Sequence, residues 1–109
     1  MDKKVYVSFL LAFYGSLLTE KQRQAIDLHY NYDLSLAEIA DDLGGTRQSV
    51  NDSIKKGIAC LNGFEEKMHC LDKYQKMHFE IEECKKALIE SNGEKALGHV
   101  EKIGDIWEE

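Results

Sequence analysis

A chain of 109 residues with 20 acidic against 14 basic side chains, a formal net charge of −6 and no proline is one domain, or a domain with a helical extension. The acidic balance argues against any function that needs a broad basic surface. Three cysteines, Cys60, Cys70 and Cys84, are odd in number and form no CxxC pair, which points to small apolar helix residues in a reducing compartment.

Apolar residues recur at helical spacing and no alternating run is long enough for a sheet, so the expected fold class is all-α. The first helix is expected over Lys4 to Leu17, with Val5, Phe9, Phe13 and Leu17 stacked on its buried face. Lys3 and Lys4 ahead of the apolar run Val5–Leu18 imitate the start of a signal peptide. No small-x-small cleavage site follows, and the run is too short for a bilayer, so a retained, buried helix without membrane insertion is expected.

Thr19 with Gln22 three residues on is a capping-box pattern, opening a second helix through about Tyr30 whose inner face is Ala25, Ile26 and Tyr30. The polar turn Asn31-Tyr32-Asp33 leads to the stretch that organises the chain, Ser35 to Lys56. Ser35 and Glu38 repeat the capping box, predicting a short helix from Leu36 to Leu43 with Ile39, Ala40 and Leu43 on one face. Gly44 follows at the position where a left-handed backbone ends a helix. Thr46 caps the next helix, with Val50, Ile54 and Ile58 as its apolar face. Two helices around a short glycine turn form a helix-turn-helix, and the small Ala40 lets them cross closely.

From Arg47 to about Glu90 only Gly57 and Gly63 interrupt the helical pattern, which fits a break near Gly63 or around Met77 as well as one unbroken rod. Ile54, Leu61, Phe64, Met68 and Leu71 fall at heptad spacing. That seam, with the apolar first helix, predicts a homodimer. Ser91-Asn92-Gly93 is the next stop, and a last helix over Glu94 to Trp107 carries Leu97, Val100, Ile103 and Ile106 or Trp107 on one face. The domain boundary is placed at 61/62, with 1–61 the helix-turn-helix domain and 62–109 a helical extension that belongs to the same compact unit or to a dimer interface.

No enzyme constellation stands out. His29, His69, His78 and His99 are dispersed, and Asp41-Asp42, Glu65-Glu66 and Glu82-Glu83 read as solvated helix faces. No metal or cofactor is expected, because His69-Cys70 alone lacks the ligands zinc requires. Binding is the better reading. Side chains at the start of the second motif helix face base edges in the major groove, and here these are Arg47, Gln48, Asn51 and Lys55. Arginine can pair with guanine in bidentate fashion, and glutamine and asparagine with adenine. Thr46 and the helix N-terminal amides suit a phosphate. Against this, residues 19–61 hold five basic and seven acidic side chains, and Asp52 lies within the reading helix.

The stretch LTEKQRQAIDLHYNYDLSLAEIADDLGGTRQSVNDSIKKGIACL resembles the region-four domain of bacterial sigma factors. YGSLLTEKQRQAIDLHY, SLAEIA, TRQSVNDSIKK and FEEKMHCLDKYQ together resemble the YlxM family more closely, over roughly Phe9 to Lys76. The resemblance implies a small cytoplasmic bacterial helix-turn-helix protein, encoded near the signal recognition particle genes and tied to regulation of that pathway. Its alternative is an adaptor that holds the particle's protein or RNA instead of DNA. Gly45 departs from the sigma pattern, which has an apolar side chain there; losing that contact is worth on the order of 1–2 kcal/mol.

Overall fold

The structure, a computed structural model, describes residues 1–109 as six α-helices and no strand: α1 Lys3–Tyr14, α2 Glu20–Tyr30, α3 Leu36–Leu43, α4 Arg47–Met68, α5 Cys70–Ile89 and α6 Gly93–Trp107. Three of the helix starts are built alike. Thr19 Oγ1 accepts from the Gln22 N–H while Gln22 Oε1 accepts from the Thr19 N–H, both at 3.2 Å. Ser35 and Glu38 make the same reciprocal pair at 3.1 Å. Thr46 and Ser49 make it at 3.0 Å, with a serine hydroxyl in place of the longer side chain. Each box satisfies two backbone donors that a bare helix end leaves open.

Two compact units result, Met1–Met68 and His69–Glu109. The first therefore extends past Leu61 to the end of α4. Its core is Val7, Leu10 and Tyr14 of α1, Ala25 and Ile26 of α2, Ile39 and Ala40 of α3, and Val50, Ile54 and Leu61 of α4. Gly57 lets α4 approach α2, since a Cβ there would stand 2.6 Å from Ile26 Cδ1.

The first helix forms, but it buries a different stripe from the one expected. Val7, Leu10 and Tyr14 point inward, whereas Val5, Phe13 and Leu17 are exposed, Phe13 at 39 %. A helix that is apolar nearly all round offers more than one stripe of the same period, so periodicity cannot choose between them. Tyr14 settles the choice by donating to Glu65 Oε1 at 2.7 Å and packing its ring on Phe64. The chain then tightens into a 3-10 turn over Gly15–Leu17, which carries Leu17 off the α-helical stripe.

The heptad seam is likewise corrected. Ile54 and Leu61 are core residues of the first unit, Leu71 belongs to the second and is buried, and Met68 is exposed. The long helix breaks neither at Gly63 nor at Met77 but at His69, which adopts φ 58°, ψ 27°. Histidine is among the side chains that tolerate this left-handed conformation.

The second unit is an antiparallel helical hairpin. α5 ends with Ser91 left-handed at φ 58°, the Asn92 N–H donating to Ala87 O and the Ser91 N–H to Leu88 O. This is a Schellman ending with serine where glycine is usual. Asn92 then caps α6 by accepting from the Lys95 N–H. His99 Nδ1 and Glu80 Oε2 meet between the helices at 2.5 Å. Here too the expected inner face changes: Ala96 is buried and Ile103 and Ile106 half-buried, while Leu97, Val100 and Trp107 are exposed.

Candidate nucleic-acid interface

The helix-turn-helix is built from α3 and α4. The Gly44 N–H closes α3 on Ala40 O at 2.8 Å, after which Gly44 and Gly45 both take positive φ, 85° and 94°. Gly44 has ψ 164°, so it turns the chain in an extended mirror-image conformation rather than in the left-handed helical one expected. At Gly45 a Cβ would lie 2.7 Å from Ser49 Oγ, the atom that accepts from the Thr46 N–H and donates to Thr46 O. Glycine at this position is therefore what the α4 cap requires, because a side chain would be strained and would displace the serine.

The cap fixes the direction of α4, and its buried stripe, Val50, Ile54, Gly57 and Leu61, fixes the rotation. Gln48, Asn51 and Lys55 lie round the helix from that stripe, whereas Arg47 lies beside it in angle and is exposed because it opens the helix. Arg47, Gln48 and Lys55 are exposed and Asn51 is half-buried. None of the four side chains makes a hydrogen bond or ion pair within the chain. Thr46 is committed to the cap through its acceptor, which leaves the hydroxyl hydrogen to donate outward. In the first turn the Arg47 and Gln48 N–H groups have no intrahelical carbonyl to bond.

Asn51 and Lys55 also form one wall of a groove of about 320 Å³, whose other lining includes Lys3, His29, Tyr30 and Leu36. His29 is held there by its Nδ1–H, which donates to Leu34 O at 2.8 Å. Lys3 sits far from the motif in sequence, and no local pattern announces that it joins Lys55 beside this groove. The opposing charges are Asp52 on α4 and Asp41 and Asp42 at the end of α3, all exposed. Glu38 is occupied in the α3 cap, where bonding from the Ser35 backbone N–H, and then from the Ser35 hydroxyl, holds its carboxyl below the usual range. No three His, Cys, Asp or Glu side chains gather anywhere as a metal-binding group would. No helix is long and apolar enough to cross a membrane.

Residues 1–100 match the family described as "Putative helix-turn-helix protein, YlxM / p13 like", designated UPF0122. The chain belongs to that family. UPF0122 proteins similar to it include one from Clostridium kluyveri, 44 % identical over 90 residues, covering 83 % of this chain and 78 % of that one. Another, from Shouchella clausii, is 36 % identical over 107 residues, covering 94 % of this chain and 98 % of the other. A third, from Acetivibrio thermocellus, is 47 % identical over 74 residues, 68 % of this chain and 63 % of that one. The UPF0122 match runs well past Lys76, so it includes most of the α5–α6 hairpin as well as the motif.

Proposed function

We propose that this UPF0122 protein is a non-enzymatic, DNA-binding regulator that reads duplex DNA with α4, and that the signal recognition particle pathway is what it regulates. One observation carries the proposal. Arg47, Gln48, Asn51 and Lys55 follow one another along the first turns of α4, exposed or half-buried, with base-reading chemistry and no partner in the chain. The assignment to the pathway rests on the family resemblance. With eight Lys and Arg against ten Asp and Glu in Met1–Met68, little sequence-independent attraction to phosphates is available. The expected behaviour is weak binding to random duplex and dependence on base contacts for affinity.

Selection from a pool of random duplexes at low salt tests this reading. An enriched motif that fails to enrich with an Arg47→Ala variant supports it. No enrichment, with folded protein confirmed by circular dichroism, overturns it.

The acidic excess favours a second reading, in which the same fold is an adaptor for a protein or RNA component of the particle. Pull-down from a cell extract with and without nuclease separates the two. Under the adaptor reading the captured partner is a particle component and is unaffected by the Arg47→Ala change.

A further inference from the structure

The α5–α6 hairpin closes on a row of small and half-buried side chains, with Ala87 and Ala96 fully buried along it. Beside that row runs a second, solvent-exposed one. On α5 it is Tyr74, Ile81 and Leu88, seven residues apart; on α6 it is Leu97, Val100 and Trp107. At 100° per residue each set lies about a quarter turn past the inner row of its own helix. Because the helices are antiparallel, the two quarter turns fall on the same side of the hairpin. Their exposures are 42, 40, 60, 58, 51 and 70 % in that order. We infer that this face is covered by the same face of a second copy of the chain, giving a four-helix bundle of two hairpins.

Three observations select a second copy. The uncovered side chains expose on the order of 700 Å², near the roughly 800 Å² per partner of a standard-size stable interface. Spacings of seven on α5, and of three and seven on α6, are those of a seam that packs against other helices, not against an irregular surface. The edges of the face also differ in charge. The outer edge of the α6 row carries Glu94, Glu101 and Glu108, again seven apart, whereas that of the α5 row carries His78, Glu82 and Lys85, the last two paired with each other at 3.2 Å. A two-fold axis parallel to the helices sets α5 against α6 of the partner in antiparallel fashion. Lys85 of each chain then comes level with the partner's Glu94, and His78 with the partner's Glu101, as the Glu80–His99 pairing sets the heights. The alternative two-fold, with α5 against α5, would face acidic edge with acidic edge. This dimer is independent of whether α4 binds DNA.

Sedimentation equilibrium on the full chain, with emission of Trp107, the single tryptophan, followed over the same concentrations, tests the bundle. The expected result is a dimer at tens of micromolar (the order of ordinary dimer affinities), with Trp107 emission shifting to the blue as the dimer forms. Val100→Glu and Ile81→Glu change side chains that are exposed in the single chain, and each should raise the dissociation constant at least about 100-fold. Lys85→Glu should weaken the dimer, and adding Glu94→Lys should restore it. A monomeric wild-type chain, or variants at positions 81 and 100 that dimerise as tightly as wild type, overturns the inference. Should either variant lose helicity, the wild-type measurement decides alone, because Trp107 emission independent of concentration is incompatible with the bundle.

Discussion

Gly57 of α4 lies against Ile26 of α2 so closely that a methyl group on its Cα would stand 2.6 Å from Ile26 Cδ1 and 3.2 Å from Gln22 Cβ. Six residues further along the same helix, Gly63 has nothing within 4 Å of the corresponding point. The two glycines therefore have opposite consequences for an alanine substitution. Gly57→Ala is expected to destabilise the protein by about 1–3 kcal/mol through overpacking. Gly63→Ala is expected to stabilise it by about 0.5–1 kcal/mol, because alanine loses less backbone freedom in a helix. Urea denaturation of the two variants measures both; shifts of the same sign would show that α2 and α4 do not cross at Gly57.

Burial separates Leu61 from Phe13. Leu61 is 0 % exposed and Phe13 39 %. Leu61→Ala should cost roughly 2–5 kcal/mol, and Leu61→Asp should unfold the first unit instead of merely dissociating an oligomer. Phe13→Ala should cost about 1–2 kcal/mol, short of the 3–5 kcal/mol typical of a fully buried ring. Thermal and urea unfolding give the ranking.

Glu38 makes α3 sensitive to acid in a defined direction. Its folded-state pKa is lowered by the bonds from Ser35, so the folded chain favours the carboxylate more than the unfolded chain does. The stability this adds is fully present above the unfolded value of about 4.3 and is lost as pH falls through the lower folded value. Glu38→Gln keeps an acceptor for the Ser35 N–H but does not titrate. The stability difference between wild type and this variant should therefore be constant near neutrality and shrink below about pH 4.3. A difference that grows with acid would contradict the cap.

For the proposed DNA contacts, Arg47→Ala is expected to cost roughly 1–3 kcal/mol on a selected site and little on random duplex. Lys55→Ala should weaken both similarly and lower the salt slope by about one unit. Asp52→Asn should strengthen non-specific binding, since an exposed like charge beside the phosphates is removed. Fluorescence anisotropy over a salt series reads all three. Equal losses on specific and random duplex for Arg47→Ala would place that side chain on the backbone and not at a base edge.

What could be read from the residues follows the range of the forces involved. Thr19 with Gln22, Ser35 with Glu38, and Thr46 act within a four-residue window, so α2, α3 and α4 begin where the pattern places them, and α3 runs from Leu36 to Leu43 as expected. The exposure of Gln48 and Lys55 was legible for a related reason: Val50 and Ile54 fix the opposite face of α4, while Arg47 is exposed as the residue that opens the helix. The stripe of α1 was not legible, because Tyr14 is chosen by Glu65, a partner fifty-one residues away. His69 was missed because its positive φ has no glycine or proline to mark it. The outward turn of Leu97, Val100 and Trp107 was missed because the small Ala87 and Ala96, with the His99–Glu80 pair, take the inside of the hairpin. Lys3 reaches the groove beside Lys55 only once α1 has packed.

The reciprocal caps of α2, α3 and α4 also bear on how the first unit comes into being. Forming the first turn of a helix is the slow, unfavourable part of helix growth, and each box lends that turn two bonds drawn from residues three apart. Nucleation is therefore directed to three fixed points on the unfolded chain before any distant contact has formed. The helices can arrive at collapse already in register, leaving the search to the docking of a few preformed rods. Such a chain has the local character associated with folding in microseconds to milliseconds.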